Sequence, residues 1–123
     1  MITAVEVVAI HDRVVEATGG SLGVADPDGI LAAVARPFQT FGGEDLYPTV
    51  WDKAAAMLES LCNRHPFIDG NKRTALVVAV FMLHRQGFEL DIPTDDGEAF
   101  MLRVAQGWNE ISEIAGQLRF WQR

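Results

Sequence analysis

Apolar and polar positions recur with a helical period over most of the chain. From Thr3 to Ala17 the apolar positions Val7, Val8, Ile10, Val14 and Val15 gather broadly on one side, and Gly19-Gly20 closes the segment. Ser21 to Ala25 reads as a loop. Asp26 then stands as an N-cap with Pro27 at the first helical position, where the missing N–H costs nothing. That second helix should stop near Arg36, because Pro37 disfavours helical angles in its predecessor. Thr49 opens a third helix with Asp52 as its first-turn acid, and Trp51, Ala54, Ala55, Leu58, Leu61 and Cys62 share one face. His65 and Pro66 end it. A fourth helix runs from about Asn71 to Gln86, with Gly87 in the stop position.

The centre of the fourth helix, Ala75 to Leu83, is nine apolar residues in a row. A helix apolar on all sides is expected to be surrounded by others. Phe88 to Pro93 reads as an extended link, and Asp95 with Glu98 as a capping box opening a fifth helix to about Gly107. Ser112 caps the sixth, which ends in Leu118, Phe120 and Trp121. The stretch Phe38 to Pro48, with two adjacent glycines, reads as an ordered but mobile loop. No alternating run of strands occurs, so the predicted class is all-α. The expectation is one domain, residues 1–123, of about six helices around a buried central helix.

Composition narrows the function. The chain has 123 residues, 49% of them hydrophobic, and a net charge of −7. Such a field repels phosphate backbones, so direct nucleic-acid binding is not expected, and any anion site must be a local basic island. Nine apolar residues fall well short of the ~20 that span a bilayer, so no membrane role is expected. Cys62 is the single cysteine, which rules out an intrachain disulfide and favours the cytoplasm. The start, MITAVEVVAIHDR, lacks the features of a secretory signal.

The basic island is at residues 65 to 75, HPFIDGNKRTA. A loop turning into a helix N-terminus exposes unpaired backbone N–H groups at the positive end of the dipole. Gly70 would let the main chain approach a ligand closely, and Lys72 and Arg73 add two charges. His65, across the loop, suits a general base at neutral pH. Asp69 suits a magnesium ion, which takes one or two carboxylates with phosphate oxygens and waters. A base, a metal carboxylate and an anion cradle are the parts of phosphoryl or nucleotidyl transfer. The plainer alternative is that Asp-Gly-Asn is common turn vocabulary and a histidine at a helix end is often structural.

HPFIDGNKRTA resembles the signature of the Fic/Doc superfamily, His-x-Phe-x-(Asp/Glu)-Gly-Asn-Gly-x-x-x-Arg. With Lys72 for the third small residue and Leu76 for the final arginine, it is similar to the Doc toxins. HDRVVEATGGSLGVADPDG and NEISEIAGQLR resemble the terminal regions of the same group, although Asn109 stands where a glycine is usual. The resemblance implies the Fic fold and a toxin of a type II toxin–antitoxin system. It implies transfer of phosphate from Mg-ATP to a threonine or serine hydroxyl, with elongation factor Tu the expected target. His65 would be the catalytic base, Asp69 the magnesium ligand, and Gly70, Asn71, Lys72 and Arg73 the phosphate-binding set, with Phe67 a buried anchor. AMP transfer is the alternative on the same fold. Leu76 and Lys72 favour phosphate, since the first removes a phosphate clamp and the second fills space. A non-catalytic interaction domain is a further alternative.

Self-inhibiting family members carry a (Ser/Thr)-x-x-x-Glu-(Gly/Asn) pattern. Only near misses occur here, Thr40 with Glu44 and Thr94 with Glu98. A separate Phd-type antitoxin is therefore the expected protein partner. The 38–48 segment matches in position a flap that aligns a target peptide by strand addition, with Phe41, Leu46 and Tyr47 as contacts. His11 is expected to be structural, Cys62 core filler, and His84 too far along its helix to assist His65.

Overall fold

Side-chain caps open the first three helices, and a computed structural model describing all 123 residues shows six helices in all. Helix α1, Ala4–Thr18, opens on a capping box in which Thr3 and Glu6 exchange hydrogen bonds. Asp26 caps α2, Pro27–Ala35, through the amide of Gly29, and a 3₁₀ turn, Arg36–Phe38, follows. Thr49 and Asp52 form a second capping box at α3, Val50–Arg64. Helix α4 is Asn71–Arg85, α5 Thr94–Ala105 and α6 Ile111–Phe120.

The last two helices begin otherwise than the sequence suggests. Helix α5 starts at Thr94 on an N-cap Pro93 with no side-chain cap, so Asp95 and Glu98 form no capping box. Asp95 and Asp96 lie in its first turn instead, where the dipole favours them. Helix α6 starts at Ile111, and Ser112 lies inside it. There the carbonyl of Glu110 accepts from Glu113 and Ile114, closing the first turn ahead of the serine.

The 38–48 segment is a β-hairpin rather than a plain loop. Thr40–Phe41 (β1) pairs antiparallel with Glu44–Asp45 (β2) around Gly42-Gly43. Both turn glycines have positive φ, 60° and 84°, the two-residue geometry that matches strand twist and that side chains resist. The remaining architecture is helical, as the periodicity predicted.

The centre of the core is α3. Nine of its residues are buried against six of α4, and it touches α2, the 3₁₀ turn, α4, α5 and α6. Ala54, Ala55 and Ala56, all fully buried, let neighbouring helices approach closely. Helix α4 has the more continuous apolar run, yet Val77 is 42% exposed on its open flank. Hydropathy alone therefore points to the wrong axis. What α4 supplies is one wall of the core together with its own N-terminus, left at the surface. Phe100 meets Trp108 and Trp121 edge-on at 5.7 and 5.2 Å and closes the far end. The link after α4 pairs through Leu90 with Gln122 near the C-terminus.

Candidate active site

Residues 65–70 are the connection of the α3–α4 hairpin, and four separate braces hold them. His65 is the C-cap of α3 and the only non-glycine residue in the left-handed region, with φ 49° and ψ 54°. This conformation reverses the chain at a strain that rigid neighbours must maintain. Pro66 offers its carbonyl to the amides of Ala25 and Asp26 at 2.9 and 3.0 Å. Phe67 bridges to Val24, and the amide of Ile68 donates to Gly23 at 3.1 Å. Asn71 closes the loop from the other side. Its side-chain oxygen accepts from the Phe67 amide at 3.0 Å and its NH₂ donates to the Phe67 carbonyl at 2.9 Å. The asparagine is thus a loop brace, a use that the motif spacing does not disclose.

The fourth brace is His11. Its fully buried ring stacks on Phe67 with centroids 3.8 Å apart and planes 4° from parallel. Nε2 lies 2.7 Å from the Asp69 carbonyl oxygen and Nδ1 3.1 Å from an Asp12 carboxylate oxygen. The sequence foretold a structural hydrogen bond but not its partner, 58 residues away. The only local signal was a histidine set on the same side of α1 as valines.

The chemistry-bearing groups are gathered on the open side of this loop. His65 is exposed, and among the three histidines only His11 and His84 have hydrogen-bond partners within the chain. Asp69 is exposed, and its two oxygens accept the amides of Gly70 at 2.9 Å and Ser21 at 3.2 Å. Helix α4 has no side-chain cap. Its first helical bond runs from Thr74 to Gly70, so the amides of Asn71, Lys72 and Arg73 precede the ladder. Lys72 and Arg73 are exposed and enter none of the six ion pairs. In a chain of net charge −7, two adjacent unpaired cations at a helix N-terminus give a local excess of positive charge, which would favour an anion there.

Gly70 has a reason other than ligand approach. With φ 76° it turns the chain into α4, and a Cβ there would come within 3.2 Å of Val15 on α1. The constraint faces the core side of the loop.

Beside the cations, α4, α5 and the link between them line an open groove of about 530 Å³, which includes Lys72, Arg73, Leu76, Ile92, Glu98 and Met101. Gly97 keeps it open where α5 passes α4, since a Cβ would reach Ile92 at 3.0 Å and Leu76 at 3.5 Å. A mainly apolar wall beside a polar mouth suits a nucleoside carrying phosphates. Elsewhere, burial pushes the Cys62 thiol up to about 11, which makes it core filler. His84 is exposed beside Glu89 at the far end of α4.

The model of the Fic/DOC family matches residues 1–83, from α1 through the loop and most of α4. The chain belongs to the Fic/DOC family. Within it, Toxin Doc of Mycolicibacterium smegmatis is 46% identical over 104 residues, which covers 83% of this chain and 80% of that protein. Protein kinase doc of Escherichia phage P1 is 32% identical over 116 residues, covering 93% of this chain and 89% of its own. As a Fic/DOC protein the chain has its signature on the α3–α4 connection, and no helix is long and apolar enough to cross a membrane.

Proposed function

We propose that this Fic/DOC protein is the toxin of a type II toxin–antitoxin pair that transfers the γ-phosphate of Mg-ATP to a serine or threonine hydroxyl of a protein. One observation carries the reading: the uncapped N-terminus of α4, with two unpaired cations, adjoins a braced loop bearing an unpartnered histidine and an exposed carboxylate. The names of the two relatives, a toxin and a protein kinase, point the same way.

The chemistry follows from the groups present. His65 takes the proton of the target hydroxyl as that oxygen attacks the γ-phosphorus, and ADP departs. Lys72, Arg73 and the first amides of α4 hold the phosphate charge throughout, while Asn71 keeps the loop in register for them. Asp69 fits a magnesium ion as a single carboxylate ligand. No group of three His, Cys, Asp or Glu is clustered in the chain, so phosphate oxygens and water would complete the shell, as magnesium commonly requires. When bound, that ion would offset the phosphate charge.

The hairpin is the proposed guide for the substrate. Phe41 at its tip is 81% exposed and Leu46 is half exposed, which suits a peptide added as a further strand. Elongation factor Tu is the proposed target, as the likeness to Doc toxins implies, and the cytoplasm the proposed location. With only near misses to a self-inhibiting pattern, a Phd-type antitoxin chain is the proposed regulator. AMP transfer is the other reading on this fold. Leu76, an apolar wall beside the cations, favours phosphate because no arginine stands there to clamp the nucleotide phosphates as AMP transferases do.

Induced expression in bacteria tests the proposal. Wild type should arrest growth, and His65→Ala should release it, because loss of a general base costs ~10²–10⁴ in rate. Growth arrest that survives His65→Ala undiminished would point instead to a non-catalytic interaction domain.

A further inference from the structure

We infer that His11 is a positioning residue for the Asp69 carboxylate, acting through the peptide bond between Asp69 and Gly70; this rests on the reading of Asp69 as the metal ligand. A peptide unit is planar, so fixing its C=O also fixes the direction of its N–H. His11 Nε2 grips the carbonyl edge of that unit at 2.7 Å. The N–H on the opposite edge belongs to Gly70 and donates to the Asp69 Oδ1 at 2.9 Å. One planar group thus lies between an imidazole on α1 and the carboxylate it orients.

The ring is itself immobilised. Phe67 covers its face at 3.8 Å, an Asp12 carboxylate oxygen lies 3.1 Å from Nδ1, and its side chain is 1% exposed. No other side chain bonds to the Asp69 carbonyl, whereas the carboxylate has a second amide, Ser21, at 3.2 Å. Gly70 lacks the side chain that would resist rotation of this peptide, and at φ 76° it depends on outside support. Without the His11 bond the peptide can rotate. The carboxylate then loses its closer amide, and the amides that follow at the start of α4 lose their alignment.

The test is Mn²⁺ binding, read by electron paramagnetic resonance with a non-hydrolysable ATP analogue present, so that turnover is not the only readout. His11→Phe keeps a flat ring but has no donor and should weaken Mn²⁺ about tenfold, the scale of one lost hydrogen bond. His11→Gln places an amide N–H near the Nε2 position and should restore binding to within about twofold. Should His11→Phe not fold, His11→Asn takes its place, since its amide reaches only as far as Nδ1. Val7→Ala on the same helix, a fully buried residue, controls for general loosening and should leave Mn²⁺ affinity unchanged while lowering thermal stability. Asp69→Asn should abolish the signal. If it does, and His11→Phe binds like wild type, the inference about His11 fails alone. If Asp69→Asn binds normally, the metal reading fails and takes the inference with it. Equal losses in His11→Phe and Val7→Ala would also overturn it, reducing His11 to packing.

Discussion

Replacing Arg36 by methionine should destabilise the protein by about 2–3 kcal/mol. Arg36 ties the foot of the hairpin to the central helix: Nε donates to the Tyr47 hydroxyl at 3.0 Å, and Nη1 to Glu59 at 2.6 Å and Ser60 at 2.9 Å. Burial works against its charge, yet the hydrogen bonds to Glu59 and Tyr47 outweigh that and raise its pKa above the usual value. Its side chain is 23% exposed and that of Glu59 16%, so this is a half-buried pair and not a solvated surface one. Hydrogen bonds to charged groups contribute roughly 1.5–3 kcal/mol each, and stranding a buried partner costs about 3–5 kcal/mol. Water partly replaces Arg36, and Glu59 keeps Asn63 at 2.9 Å, which brings the net cost to about 2–3 kcal/mol. Urea denaturation should show the midpoint falling by about 1–2 M. The double variant R36M/E59M should recover at least half of the loss, since no charge is then left unpaired. A loss below about 0.5 kcal/mol for R36M would refute the reasoning and place the cluster with ordinary surface ion pairs.

Three further outcomes follow from the loop and its supports. Asn71→Ala removes both bonds to the Phe67 backbone and should cost about 1–2 kcal/mol in urea denaturation while lowering kcat more than the KM for ATP. Gly70→Ala should cost about 1–3 kcal/mol, because alanine at φ 76° is strained and its Cβ presses on Val15. Glu6 has its pKa lowered from 4.5 to about 2, chiefly by its hydrogen bond to Arg85. A depressed carboxylate stabilises above its unfolded value and loses that contribution as pH falls from about 5 to 2, so Glu6→Gln should flatten that part of a Tm–pH curve.

Features set by neighbours in sequence were legible from it. The caps at Asp26 and Thr49 and the start of α4 at Asn71 depend on residues three or four apart, and the structure places them as read. The motif lies on a loop entering a helix, as its Gly-Asn pair implied. Contacts between distant segments were not legible. His11 meets Asp69 across 58 residues, and nothing in either stretch encodes that pairing. Hydropathy points to α4 as the central helix because it rewards the valines there, whereas packing depends on the small alanines of α3. The hairpin strands are two residues long, too short for alternation to register. The Gly42-Gly43 pair was the available signal.

The most direct test of the central claim is intact-mass analysis of elongation factor Tu after incubation with the purified protein and Mg-ATP, with His65→Ala alongside. Wild type should add one phosphate to a serine or threonine, and His65→Ala none. A gain of AMP, or a phosphate gain that persists in His65→Ala, would contradict that claim.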